Sequence, residues 1–148
     1  MKSLLAALLC FLVFTSVTFA DDFFGSRISY FKEKSYDFRL SKMAIKNAPK
    51  WKLNEEYPPL SSRKAMQIAL SQAKTLRPEV ITWNIADIKL QPMGSAISKY
   101  PLTDDWIYII RLQDFSGPIA GVPWQLEIPI YMDGSTINPV IEKNKGYR

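Results

Sequence analysis

The sequence predicts an α+β domain in which one main helix packs on an antiparallel sheet of four to five strands, preceded by a cleaved signal peptide. Residues 61–76 carry apolar side chains at helical spacing, whereas several later stretches alternate apolar and polar residues as strands do. Because a helix stripe and a sheet face can cover each other, these two layers account for a core. We divide the chain into the signal peptide (1–20), a basic segment with a short strand (21–59), the helix-on-sheet domain (60–142) and a tail (143–148).

Residues 1–20 have the three parts of a secretory signal. Lys2 gives a positive start, residues 4–14 form an unbroken apolar run, and Thr18 and Ala20 place small residues before a cleavage point. The apolar run is shorter than the roughly 20 residues that a membrane-spanning helix needs. We therefore expect a secreted or periplasmic protein, cleaved after Ala20, with no transmembrane segment in the mature chain.

Composition excludes several kinds of chemistry. The chain has no histidine, and its single cysteine, Cys10, lies in the leader. Ser-His and Cys-His catalysis, thiol redox chemistry and zinc sites of cysteine or histidine are therefore excluded from the mature chain. No aspartate run has the spacing of a calcium loop, and no glycine-rich loop is suited to phosphate. We expect no cofactor.

The basic excess of the mature chain lies in its first third. Residues 27–52 contain eight lysines and arginines but only two acidic residues. Within them Tyr36, Phe38 and Leu40 alternate with Asp37 and Arg39, which predicts a short half-buried strand. A basic segment with interleaved aromatic residues is typical of a surface that binds anionic partners. The candidate binding residues are Arg27, Lys32, Lys34, Lys42, Lys46 and Trp51.

The main helix has clear start and stop signals. Ser61 or Ser62 is placed to cap the first turn, and Arg77-Pro78 ends the helix because proline disfavours α geometry in the residue before it. One apolar stripe follows the three- and four-residue spacing of a helix. The stripe consists of Met66, Ala69, Leu70, Ala73 and Leu76.

Three strands are predicted after the helix. In residues 80–91 the apolar parity switches at Ala86-Asp87, which predicts a β-bulge. Residues 105–113 are apolar on both parities at one end and predict a central strand. Residues 124–132 alternate cleanly and contain Pro129, which belongs next to an edge or a gap. Asp133-Gly134 then predicts a type I′ turn into a short last strand over 136–141.

This order of elements resembles the small secreted PepSY-like domains. The resemblance covers about residues 60–142 and rests on the helix 61–76, the strands 106–112 and 124–132, and the turn Met132-Asp133-Gly134-Ser135 that leads to Pro139 and Val140. The wider cystatin-like class shares the shape of a sheet wrapped around a helix. The resemblance implies a non-catalytic exported domain from families that are proposed to bind peptides or restrain proteases.

The leading functional hypothesis is an exported, non-enzymatic binding or structural domain that contacts a protein, a peptide or a component of the cell envelope. Its sheet face or an exposed edge strand would make the contact. One alternative is an electrostatic tether to anionic lipid or glycan through residues 27–52; export argues against nucleic acid as the partner. A second alternative is a hydrolase that uses only carboxylates, centred on Asp87 or on Asp104 and Asp105. The tryptophans Trp83, Trp106 and Trp124 are expected in the core, since each lies on the apolar parity of its strand.

Overall fold

The computed structural model describes residues 23–93, 104–115 and 124–143. Within them the chain forms β1 (Phe23–Phe31), β2 (Lys34–Ser41), α1 (Lys42–Asn47), α2 (Ser62–Leu76), β3 (Asn84–Pro92), β4 (Trp106–Asp114), β5 (Trp124–Tyr131) and β6 (Val140–Lys143). The predicted signal peptide and the tail beyond Lys143 lie outside the described residues.

The strands form two antiparallel sheets of three strands each. Sheet A has the order β1-β2-β6, and sheet B has the order β3-β4-β5. The expectation of one helix on a single sheet of four to five strands is therefore wrong, because the described part of the chain is mostly β-structure with one helix longer than two turns. β1 has no counterpart among the predicted strands, and the last strand lies in sheet A rather than beside β5 as predicted.

Helix α2 begins and ends where the sequence predicts. The Ser61 side chain accepts a hydrogen bond from the Lys64 amide at 3.3 Å, and Arg77 is the C-terminal cap. The buried face is shifted from the predicted stripe, since Ala65, Ala69 and Ala73 are fully buried while the larger side chains of the stripe lie at its margins. Alanine at these positions lets α2 approach sheet B, whose three strands all contact the helix.

Sheet B places β4 in the middle, as its two apolar faces predict. Tyr108, Ile110 and Leu112 alternate with Ile107 and Ile109, and all five are buried. β5 lies at one end of the strand order, which is the position that Pro129 predicts. The register between β3 and β4 shifts between residues 85 and 87, so the predicted bulge at Ala86 is confirmed.

The turn after β5 differs from the predicted type I′ turn. The Gly134 amide donates to the Tyr131 carbonyl at 2.9 Å, and Gly134 has a φ of +84°, whereas Asp133 does not have a positive φ. Type I′ requires a positive φ at both central residues. The loop is instead a turn closed by a left-handed glycine, after which Thr136 makes one bridge to Ile130. The chain then leaves sheet B, and β6 pairs with β2.

Sheet A contacts sheet B along β1. The Glu127 backbone amide donates to the Ser29 hydroxyl at 2.8 Å, so a side chain of β1 occupies the open edge of β5. Farther along β1 the Phe31 ring lies 5.2 Å from Trp83 and 6.2 Å from Trp124, measured between ring centroids. Trp83 and Phe31 are buried. The expected core position of the indole is thus confirmed for Trp83, and a shared aromatic cluster closes this end of the fold.

Candidate functional site

Strand β3 is the most accessible part of sheet B. Every residue from Asn84 to Lys89 is exposed, on both faces of the strand. β3 stands at the end of the strand order, so within the described residues it pairs only with β4. An antiparallel strand with one neighbour directs every second pair of backbone N–H and C=O groups away from the sheet. These groups form a hydrogen-bonding edge that an added strand could satisfy.

The bulge at Ala86 determines which side chains border this edge. Ile85 lies opposite Leu112 and Ile88 lies opposite Ile110, so both isoleucines are on the face that α2 covers. Without the extra residue, side chains three apart in a strand would point to opposite faces. Ile85 and Ile88 are each 37% exposed. They form an apolar margin next to the open hydrogen-bonding groups.

The opposite face of β3 is charged. Asp87 lies opposite Arg111 of β4, and Lys89 lies opposite Ile109 of the same strand. Arg111 Nη2 is 3.9 Å from Asp87 Oδ2, and its Nε donates to Glu127 Oε1 at 3.1 Å. Arg111 of β4 and Glu127 of β5 thus form an ion pair across two adjacent strands. Asp87 is therefore held beside a cation at an exposed surface, which is a poor setting for the general acid of a hydrolase.

A cavity of about 440 Å³ lies at the beginning of β3. Ile81 is 95% exposed and Phe115 is 63% exposed at its rim, and the Asp114 carboxylate is buried in its wall. The lining residues are Glu79, Ile81, Thr82, Asn84, Asp114 and Phe115. An extended segment that pairs with β3 would reach this cavity beyond Asn84.

The basic residues expected to bind anions are dispersed over the fold. Arg27 donates to Gln91 Oε1 at 2.6 Å and so joins β1 to β3. Lys32 Nζ lies 3.6 Å from Asp114 Oδ2, in the turn between β1 and β2. Lys34 begins β2, whereas Lys42 and Lys46 lie on α1 beyond the far end of that strand. The eight residues of β2 separate the two groups by about 23 Å at the usual rise of a strand.

Trp51 packs against a neighbouring indole and is only partly exposed. Its ring meets that of Trp106 edge-on, with 5.0 Å between centroids. Its backbone carbonyl accepts a hydrogen bond from Trp106 Nε1 at 2.9 Å, and its amide donates to the Asp104 carbonyl. Lys50 pairs with Asp105 next to it. These contacts attach the loop after α1 to the start of β4, and they pair the Asp105 carboxylate with Lys50, whereas Asp104 takes part through its backbone carbonyl.

Arg77 is a buried cation with several resolved partners. Its side chain is 4% exposed, and its Nη1 donates to Tyr36 Oη and to Glu33 Oε1, both at 3.2 Å. Its Nε lies 2.5 Å from Glu79 Oε1 without the alignment of a hydrogen bond, so that contact is an ion pair. The guanidinium also lies 4.9 Å from the centre of the Phe31 ring.

Electrostatics keep this cluster charged. Burial acts to lower the pKa of Arg77, but hydrogen bonds with Tyr36 and Glu33 outweigh it and the pKa is raised. Burial raises the pKa of Tyr36. The pKa of Glu33 is lowered by a hydrogen bond to the Glu33 backbone amide and by the hydrogen bond with Arg77. The cluster joins the turn of the β1–β2 hairpin to the end of α2. We interpret it as a structural cluster, since the partners of Arg77 come from both of the elements that it joins.

No known protein family matches the chain, and no curated protein or solved structure is significantly similar to it. The PepSY-like resemblance therefore stays a prediction. In residues 23–93, 104–115 and 124–143, no three acidic side chains converge on a position where they could hold a metal ion. Neither described helix has the length and hydropathy that crossing a bilayer requires.

Proposed function

We propose that the protein is an exported, non-enzymatic binding domain whose β3 edge pairs with an extended segment of a partner protein. The observation that carries this proposal is the exposure of β3 on both faces from Asn84 to Lys89, in a strand with one described neighbour. Strand addition at a sheet edge obtains affinity from backbone hydrogen bonds and specificity from alternate side chains. Ile85 and Ile88 supply an apolar contact for such a segment, and the cavity beyond Asn84 has room for one of its side chains.

The dispersion of the cations favours this function over an electrostatic tether. Charges about 23 Å apart at the two ends of β2 are screened from each other, since the Debye length at physiological salt is about 8 Å. Arg27 and Lys32 are also engaged within the fold by Gln91 and Asp114. A single cationic patch that binds an anionic partner would need these side chains to point together into solvent.

Site-specific photocrosslinking tests the proposal in cells that produce the protein. We expect a photoreactive phenylalanine analogue in place of Ile88 to form a discrete crosslink to a partner, and the same analogue in place of Ile28 to form none. Ile28 is a suitable control because it is an exposed isoleucine in the middle of β1, 53% accessible. A synthetic peptide from the crosslinked segment should then bind the purified protein, and Ile88→Lys should weaken binding about tenfold or more while Ile28→Lys leaves it unchanged.

The competing outcomes are distinct. Equal crosslinking from both positions, or peptide binding that is insensitive to Ile88→Lys, would contradict a β3 site. Salt-dependent binding to anionic vesicles that is lost on joint charge reversal of Lys34, Lys42 and Lys46 would favour the tether instead.

A further inference from the structure

The β3 strand is complementary in charge to itself. We propose that the extended segment it binds is β3 of a second copy of this chain, with the two strands antiparallel about a two-fold axis through Ile88. This inference rests on the proposed function, because it needs β3 to act as a pairing edge. In such a pair, residues at equal distances from the axis face each other. Asp87 then lies opposite Lys89 of the second copy, twice, and Ile88 lies opposite its own counterpart.

Charge selects this register over its neighbours. Moving the axis by one residue toward the start of β3 brings the two copies of Asp87 together, and moving it the other way brings the two copies of Lys89 together. Like charges directly opposite each other on adjacent strands are destabilising. An axis midway between two residues would place Ile88 opposite Asp87 or Lys89 of the second copy. Ile88 would then face a charged residue whose side chain belongs to the other face of the strand. Only the axis through Ile88 gives two opposite-charge pairs and an apolar centre.

The placement of both charged side chains is suitable for this contact. Asp87 and Lys89 are exposed and lie on the same face of β3, away from α2. A lysine on an edge strand normally prevents edge-to-edge association. Here the aspartate two residues before it provides a partner for that lysine in one register. The pairing also covers Ile88, whose exposed fraction of 37% is large for an isoleucine next to a core.

The length of the contact is limited at both ends. The bulge at Ala86 interrupts the regular spacing on one side, and Pro92 has no backbone N–H to donate on the other. Because residue 90 would face Ala86 of the second copy, the regular pairs cover only about three residues of each strand, 87–89, and we expect a reversible dimer rather than an obligate one. Pairing of the two β3 strands joins the two copies of sheet B into one continuous antiparallel sheet, with both copies of α2 on the same side.

Sedimentation equilibrium of the purified protein over a range of concentrations tests the inference. We expect a concentration-dependent dimer for the unmodified chain. Asp87→Lys and Lys89→Asp each create two like-charge pairs, so each variant alone should dimerise at least about tenfold more weakly. An equimolar mixture of the two variants should form a heterodimer, because both charge pairs are then opposite again. Lys74→Asp is the matched control, since Lys74 is an exposed lysine on α2, and it should leave the dimer constant unchanged.

The heterodimer is the decisive observation. Recovery in the mixture also shows that the single variants are folded, and circular dichroism of each variant checks this independently. A mixture of folded variants that stays monomeric, or variants that dimerise as well as the unmodified chain, would overturn self-pairing. If the unmodified chain is monomeric but the photoreactive Ile88 position crosslinks to a different protein, self-pairing is wrong and the proposed binding function stands. If β3 makes neither contact, both are wrong.

Discussion

Replacing Arg77 by methionine should be one of the most destabilising single changes outside the apolar core. Methionine retains much of the apolar stem but removes the guanidinium, so the variant isolates the polar contacts. The substitution leaves the hydroxyl of Tyr36 buried without its donor, which costs about 1–3 kcal/mol. It also removes the cation from the Phe31 face, a contact worth about 0.5–2 kcal/mol.

The carboxylates contribute less to this loss. Glu33 and Glu79 are about half exposed, at 45% and 51% of their side chains. Water can solvate them when Arg77 is removed, and exposed ion pairs are typically worth no more than about 1 kcal/mol. The variant also avoids the desolvation of a buried guanidinium, which offsets part of the loss. We expect the free energy of unfolding to fall by about 2–3 kcal/mol.

Equilibrium unfolding in urea measures the effect, with Tyr36→Phe as the second change in a double-mutant cycle. Tyr36→Phe should cost about 1 kcal/mol when Arg77 is present but should stabilise the Arg77→Met background, where it removes the buried hydroxyl that has lost its donor. Arg63→Met, an exposed arginine on α2, is the matched control and should change stability little. If Arg77→Met lowers the free energy of unfolding no more than the control does, or if Tyr36→Phe has the same effect in both backgrounds, the structural role of the buried Arg77 cluster is refuted.

Two further predictions concern backbone geometry and pH. Gly134→Ala should lower the free energy of unfolding by about 1–2 kcal/mol in the same urea assay, because a Cβ at φ +84° is strained and would lie 3.3 Å from Ile68 Cδ1; an unchanged midpoint would contradict this reading of the turn. The pKa of Glu33 is lowered, so its stabilising contribution is present above pH 4.5 and is lost as the pH falls through the folded-state pKa. Burial raises the pKa of Tyr108, so folding favours its protonated form and stability should fall as the pH rises above 10. Thermal melts across pH should show both slopes. Glu33→Gln should flatten the acidic slope, and Tyr108→Phe should reduce the alkaline slope, to which Tyr36 also contributes because burial raises its pKa as well.

Local signals in the sequence predict the elements that depend on local chemistry. Ser61 and the Arg77-Pro78 pair give both ends of α2, because capping and proline geometry act within a few residues. The change of parity at Ala86 gives the bulge of β3 for the same reason, since an extra residue exchanges the faces of a strand wherever it occurs. Pro129 likewise gives the outer position of β5.

The division into two sheets depends on long-range pairing, which local sequence signals do not specify. Tyr36 of β2 pairs with Ile141 of β6 across nearly the whole described chain, and nothing near either residue specifies the other. β1 was missed because Phe23 and Phe24 begin it without alternation and Gly25 follows. A strand of that kind is recognised by its partner, Ser35 to Leu40, rather than by its own pattern.

The buried face of α2 shows a related limit. The stripe predicted from helical spacing included Leu70 and Leu76 but left out Ala65. In the fold the smallest side chains lie at the closest approach between helix and sheet, and the leucines pack at the sides. Hydrophobic periodicity gives the direction of a helix face to within about one position, whereas the distance between layers decides which residues occupy its centre.

Local charge was the least informative signal for a site, and the reason is geometric. Side chains along a strand alternate between faces, and a hairpin brings its two strands side by side. A basic segment that folds as β1, β2 and α1 therefore distributes its cations around sheet A rather than concentrating them. Lys32 shows the consequence most directly, because its φ of 52° places it in the turn where its ammonium group meets the buried carboxylate of Asp114. A net charge of the segment measures how many cations it has, but a binding site requires them to share one surface. By that criterion the two charges of β3, which share a face and are two residues apart, are a better candidate than the larger number in residues 27–52.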